Sequence, residues 1–214
     1  MFVGHFAVGL ALKRVAPRTS LGSLVAAPQV ADMLWPIFLV LGWEHVRIDP
    51  GNTAFTPLAF DSYPISHSLL MLALWGLAFA WLVARPDRRV MGWIVLAVVS
   101  HWVLDVVTHR PDMPLWPFGG PKLGLGLWNS IAATLVIEGA MFAAAVFAYA
   151  TTTRARDGIG RWGFVVWVTL LVLIYLGSLS GPPPPDVRTL AWTAFGLWLF
   201  PLIAWWFDRH RASM

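Results

Sequence analysis

The chain has 214 residues, of which 58% are hydrophobic and only 12% are charged, and 14 are tryptophan. This composition excludes an ordinary soluble domain and indicates a polytopic membrane protein. The net charge of +4 comes from basic residues in short loops between apolar runs, which favours a role in membrane topology over nucleic-acid binding. The absence of cysteine excludes disulfides, thiolate nucleophiles and thiolate metal sites.

In chain order, one short apolar segment is followed by six longer ones. Met1 to Leu12 is too short to cross a bilayer, and we interpret it as a half-inserted or interfacial helix. Each longer segment approaches the roughly 20 residues that a spanning helix needs. The six predicted spans lie near Ser20 to Gly42, Ser66 to Ala84, Val90 to Thr108, Leu127 to Ala150, Trp162 to Ser180 and Thr189 to Phe207.

These segments predict an all-α fold, a polytopic membrane helix bundle that forms one transmembrane domain over residues 1–214. Residues 1–138 carry the polar motifs described below, and residues 151–214 add two further transmembrane helices. Eleven of the 15 Lys and Arg residues fall in the loops of one side of this layout. The positive-inside rule then predicts an inner (plasma) membrane protein with both termini in the cytoplasm.

Three ionisable residues form a stripe on the third predicted span. His101, Asp105 and His109 follow one another at four-residue spacing, so their side chains share one face of a helix. The surrounding run is almost wholly apolar, and inserting three such groups into a bilayer is costly. The stripe therefore indicates a functional site.

Other ionisable groups fall at matching depths. Asp32 lies about midway along the first span, Glu138 lies about 17 Å into the fourth, and His5 lies roughly 12 Å inward from Lys13. His67 begins the second span from the outer side. A single histidine in a span can equally be a helix-packing hydrogen bonder, whereas a buried carboxylate must be paired, protonated or metal-bound. The shared depth predicts one polar cavity that opens outward.

Imidazole and carboxylate ligands without sulfur suit zinc, manganese or iron. Histidines and carboxylates in this number exceed the needs of one structural site. Two or more metals bridged by an aspartate are used to activate water against a phosphoester. The ligand types therefore predict a divalent metal centre, for which we favour zinc.

Several short motifs, in this order along the chain, resemble the YdjM-like membrane-bound metal-dependent hydrolases. They are Gly4-His5 with Gly9, Asp32 in the first long span, the triplet Ser66-His67-Ser68, and Ser100-His101 followed by Asp105 and Thr108. The family pattern has an early histidine, a PDxD-like segment, a THS triplet and SHxxxDxxT, and is grouped with zinc-dependent phospholipase C. The resemblance covers about Met1 to Glu138. This chain has Gln29 where the family has a second aspartate, and Ser66 where it has threonine.

The resemblance implies metal ligands at His5, Asp32, His67, His101 and Asp105. On chemical grounds His109 is a further ligand or a general acid, and Glu138 orients or deprotonates the attacking water. We expect hydrolysis of a lipid or lipid-linked phosphoester from the extracytoplasmic side, with membrane lipid as partner and no nucleic acid.

Three other interpretations remain open at the level of sequence. They are a transporter or channel for metal ions or protons, a bis-histidine haem protein, and a structural membrane protein with a residual metal site.

Overall fold

The computed structural model describes residues 1–214 and consists mainly of helices. The α-helices are α1 (Val3–Ala11), α2 (Leu21–Val40), α3 (Pro64–His67), α4 (Leu69–Ala84), α5 (Arg88–Thr108), α6 (Ile131–Thr152), α7 (Gly158–Ser180), α8 (Val187–Ala194) and α9 (Leu199–Asp208). Short 3₁₀ turns at Leu12–Arg14, Leu127–Asn129 and Phe195–Trp198 extend or connect them. The predicted all-α membrane bundle is confirmed.

Five helical segments are long and apolar enough to cross a bilayer. They are α2, α5, α6, α7 and the segment Val187–Asp208, in which α8, a 3₁₀ turn and α9 follow one another. The second predicted span is the shorter helix α4, with 16 residues. It is shorter than expected because Ser68 caps it, accepting a hydrogen bond from the Met71 backbone N–H at 3.4 Å. His67 consequently lies in the separate helix α3.

Helix α1 has nine residues, about 14 Å of helix, and packs mainly against α2 and α6 inside the bundle. A Cβ atom added at Gly9 would come within 2.6 Å of the Val25 Cα, so only glycine permits this close approach to α2. Met1 is also buried. The half-inserted helix predicted from sequence is thus enclosed by protein, and its first residue lies in the interior rather than at a membrane face.

Three antiparallel hairpins connect the helix ends. Strands β1 (His45–Ile48) and β2 (Leu58–Ser62) pair beyond the end of α2, and β3 (Met113–Pro114) and β4 (Lys122–Leu123) pair beyond the end of α5. Strands β5 (Thr153–Ala155) and β6 (Arg211–Ser213) pair at the opposite face, where α6 and α9 end. We call the faces that carry these hairpins the β1–β4 face and the β5–β6 face.

Two apolar clusters form the core. One is built mainly from α2, α4 and α5, and the other mainly from α1, α6, α7 and α9. Buried histidine and carboxylate side chains are contributed by α1, α3 and α5, which border these clusters. The apolar packing therefore holds the polar groups of these three helices in fixed relative positions.

Candidate metal centre

Five of the predicted site residues come together in the structure. His5 of α1, Asp32 of α2, His67 of α3, and His101 and Asp105 of α5 form two overlapping groups that share His101. Within each group of three, the potential ligand atoms all lie within 4.8 Å of one another. The four residues other than Asp32 are buried, and the Asp32 side chain is 32% exposed.

The separations between these atoms match those of neighbouring ligands on one ion. Asp105 lies with Oδ1 at 3.0 Å from His5 Nε2 and Oδ2 at 3.1 Å from His101 Nε2. Asp32 Oδ1 lies 3.3 Å from His67 Nε2 and 3.9 Å from His101 Nε2. Ligands bound at about 2.0–2.1 Å from a tetrahedral zinc ion lie about 3.3 Å apart. The donor set therefore suits a divalent ion in its chemistry, and three of these four separations are close to the spacing of zinc ligands.

A hydrogen-bonded chain fixes the tautomer of His67. The Glu44 carboxylate can only accept, so the Ser66 hydroxyl donates to Glu44 Oε2, at 2.5 Å. Ser66 Oγ then accepts from His67 Nδ1–H, at 2.6 Å. The proton on Nδ1 leaves a lone pair on Nε2, which is the nitrogen that faces Asp32. This carboxylate-supported geometry is typical of metal-binding histidines.

The β1–β2 hairpin, which follows α2, places Glu44 in this series of hydrogen bonds. Because His45 pairs with Ser62 across β1 and β2, Glu44 lies beside the start of α3. Its Oε1 accepts from the backbone N–H groups of Ile65 and Ser66, at 2.7 and 2.8 Å. These donors are unpaired within the short helix, so the carboxylate both caps α3 and orients His67.

His101 is oriented in a similar way by backbone. Its Nδ1–H donates to the Pro28 carbonyl at 2.8 Å, which leaves the Nε2 lone pair toward the carboxylates. Nε2 is buried and has no hydrogen-bond partner, although Asp105 Oδ2 is only 3.1 Å away. Two lone pairs at this distance repel each other, so either Nε2 carries a proton that it donates to Asp105 or a cation lies between the two groups. The Met1 ammonium, 2.5 Å from Asp105 Oδ1, shows that a cation fits beside this carboxylate.

His109 ends α5 and faces the same carboxylate from the β1–β4 side. Its Nε2 lies 3.7 Å from Asp105 Oδ2, and its Nδ1–H donates to Asp112 Oδ1 at 2.9 Å. The Tyr63 hydroxyl donates to the same Asp112 oxygen at 2.7 Å. Burial, and secondarily the Asp112 charge, raises the pKa of Tyr63 well above its ordinary value, so the hydroxyl keeps its proton.

Glu138 contacts α1 rather than the histidines. Its Oε2 accepts from the backbone N–H groups of Phe2 and Gly4, at 2.9 and 3.4 Å, and its buried Oε1 has no partner. These N–H groups belong to the unpaired first turn of the helix that carries His5. The contact favours a positioning role for Glu138, and the water-activating role assigned from sequence stays a prediction.

Sequence reasoning missed Glu44, Tyr63 and Asp112. His109 and Asp112 are only three residues apart, so their contact could have been suspected from the sequence. Glu44 and Ser66 are 22 residues apart, and no local pattern links them. Gln29, which replaces the second aspartate of the family pattern, is fully buried and neither polar atom of its side chain has a partner.

Three neighbouring cavities lie at or beside the five candidate ligands, which we call the cluster. The cluster cavity, about 160 Å³, is lined by Asp32, His67, Asp105 and His109 together with aromatic side chains. It shares Phe2 and Trp128 with an outer cavity of about 560 Å³ in the loops of the β1–β4 face. It shares Phe2, Asp32 and Trp35 with a lateral cavity of about 490 Å³ between α2, α7 and the last span.

A family model described as "YdjM inner membrane protein" matches residues 63–180. The matched part carries His67, His101, Asp105, His109 and Glu138, and it accounts for more than half of the chain. No curated protein and no solved structure is significantly similar to the chain.

Proposed function

The chain belongs to the YdjM inner membrane protein family, and on that premise we propose that it is a membrane-embedded, metal-dependent hydrolase. Its proposed substrate is a lipid or lipid-linked phosphoester that it cleaves from the extracytoplasmic side of the membrane. The alternative functions are metal-ion or proton transport and a structural role with a residual metal site.

One observation carries the proposal. His67, His101 and His109 each commit Nδ1–H to an acceptor and turn Nε2 toward a carboxylate. Three imidazole nitrogens and two carboxylates converge in a bilayer-embedded bundle, and the Met1 ammonium beside Asp105 supplies one positive charge among them. A divalent ion would bind the Nε2 lone pair of His67 or His101 and balance the remaining carboxylate charge of Asp32 and Asp105.

In this proposal an ion would be held either by His5, His101 and Asp105 or by Asp32, His67 and His101. Because His101 has only its Nε2 lone pair free, it would bind one ion, and a second ion would rely on the other members of its group. The donor set of imidazole and carboxylate favours zinc, and manganese or iron also suit it. Such an ion would polarise a phosphoryl oxygen and make water a nucleophile near neutral pH. The chain's own contribution is to orient the ligands through Glu44 and Pro28.

Proton transfer is assigned to His109. It lines the cluster cavity, and its Nδ1–H donates to Asp112 Oδ1 at 2.9 Å, which fixes the ring with Nε2 toward Asp105. In this role a proton carried on His109 Nε2 would pass to the leaving oxygen of a phosphoester at the cluster. Glu138 holds the first turn of α1 in place, so that His5 stays aligned with Asp105.

The basic residues support the proposed orientation. Lys13 donates to Asp208 Oδ2 at 2.6 Å beside the β5–β6 face, and the loops of that side carry most of the Lys and Arg residues. The positive-inside rule assigns this face to the cytoplasm. The outer cavity lies at the opposite face and would supply water to the cluster.

The alternatives find less support. A transport pathway needs polar groups that continue from His5 to the cytoplasmic face, whereas the buried α1 residues on that side are Phe6, Ala7, Gly9 and Leu10. A bis-histidine haem needs two imidazoles on opposite sides of a macrocycle. The His5 and His101 rings instead stack on each other, with centroids 3.9 Å apart.

The test is elemental analysis of detergent-purified protein by mass spectrometry. We expect at least one equivalent of zinc or manganese in the wild type, and loss of metal in the His101→Ala, Asp105→Ala double variant. Asp105→Ala alone should lose both metal and phosphoesterase turnover with near-normal expression. Asp61→Ala, which removes an exposed carboxylate of β2, is the matched control and should keep both. Full activity in Asp105→Ala would refute the assignment.

A further inference from the structure

The lateral cavity has an apolar lining that reaches one charged residue. It lies between α7, which contributes Leu170 and Ile174, and the last span, which contributes Leu197 and Ile203. Nine of its 12 lining residues are hydrophobic, and Asp32 is the single ionisable one. Its volume of about 490 Å³ falls within the range of about 300–1,000 Å³ that is typical of ligand pockets.

The cavity opens on the side of the bundle that faces the bilayer. Leu170, Ile174 and Leu199, which line it, are 39%, 41% and 57% exposed. Leu170 lies about 18 Å along α7 from its first residue and Asp32 about 17 Å along α2, and both helices start at the β5–β6 face. The opening is therefore at the depth of the hydrocarbon core and level with the metal cluster.

The lateral cavity adjoins the cluster cavity. Asp32, Trp35 and Phe2 line both the lateral cavity and the cluster cavity, and Asp32 is the one candidate ligand with an appreciably exposed side chain. A molecule in the lateral cavity thus meets the cluster through Asp32. An apolar cavity that opens to the bilayer and leads to the proposed metal ion suits a molecule with a hydrocarbon chain and an anionic head group.

We propose that the lateral cavity binds an acyl chain of the lipid whose phosphoester is presented to the cluster. This inference rests on the proposed hydrolase function and names its substrate class as a membrane lipid with at least one long hydrocarbon chain. The chain lies between α7 and the last span, and the phosphate reaches the cluster past Asp32. The remaining polar headgroup extends into the outer cavity, which shares Phe2 and Trp128 with the cluster cavity.

The experiment is photo-crosslinking with a phosphatidylglycerol that carries a diazirine at the end of one acyl chain, in bilayer nanodiscs. Crosslinked residues are mapped by peptide mass spectrometry in the wild type and in Asp105→Ala, which separates chain binding from metal binding and turnover. We expect crosslinks concentrated at residues 170–174 and 197–203, well above those at the exposed apolar residues Leu82 and Val136 of other helices.

A second variant tests the cavity itself. Ala194→Trp places an indole among the lining residues and should abolish the concentrated crosslinks, whereas Phe147→Trp, on the exposed surface of α6, should leave them unchanged. Crosslinks spread evenly over all exposed apolar residues of the wild type would overturn the inference, even if the protein hydrolyses phosphoesters. Concentrated crosslinks in a protein without hydrolytic activity would support the cavity and refute the hydrolase.

Discussion

Changing Glu44 to glutamine should reverse the direction of donation in the hydrogen bonds that link residue 44, Ser66 and His67. Glu44 Oε1 accepts two backbone N–H groups, at 2.7 and 2.8 Å, so the glutamine oxygen must take that position. The new NH₂ group then faces Ser66 Oγ, which lies 2.5 Å from the carboxylate oxygen it replaces. Because this NH₂ donates, the Ser66 hydroxyl accepts from it and turns its own proton toward His67 Nδ1.

The imidazole must respond by carrying its proton on Nε2. That nitrogen faces Asp32 Oδ1 at 3.3 Å, and the new N–H would donate to the carboxylate. A protonated Nε2 cannot bind a metal, so the variant loses His67 as a ligand. The new N–H also engages Asp32, a second candidate ligand, in a hydrogen bond. Loss of a partner that orients a metal-binding histidine typically costs about 10–100-fold in metal affinity. This corresponds to about 1.4–2.7 kcal/mol.

The assay is competition with a chelator of known zinc affinity on detergent-purified protein. Ser66→Thr keeps the hydroxyl and is the matched control, with an expected affinity equal to that of the wild type. Adding Ser66→Ala to Glu44→Gln removes the reversed relay and should recover part of the lost affinity. Zinc binding by Glu44→Gln as tight as that of the wild type would refute the tautomer argument.

Two further predictions concern the packing that holds the site. Asp208→Ala leaves the buried Lys13 ammonium without its 2.6 Å partner and should lower the free energy of unfolding by about 3–5 kcal/mol. Thermal unfolding in detergent measures this, and an unchanged melting temperature would contradict it. Gly9→Ala forces α1 away from Val25 and should reduce both stability and metal content. Its control is Gly92→Ala, where the added Cβ meets nothing within 4 Å, and equal effects of the two changes would argue against the close contact.

The helical membrane fold could be predicted from sequence. Apolar segments of spanning length have few alternatives to helix in a bilayer, because every backbone polar group must be bonded within the segment. Polar groups within such segments are costly, so His5, Asp32, His101 and Asp105 stood out individually. The structure then shows that these residues, with His67, lie within hydrogen-bonding reach of at least one other member.

Only the tertiary structure decided which groups orient the histidines and where the cluster opens. Glu44 reaches Ser66 because β1 pairs with β2, and Glu138 reaches Phe2 from 136 residues away because α1 packs against α6. The lateral cavity likewise depends on how α7 and the last span pack beside α2. The free-energy cost of burying a side chain depends on its residue type, so it can be estimated from the sequence alone. The partner that offsets the cost comes from a distant segment, so its identity emerges only when the helices are assembled.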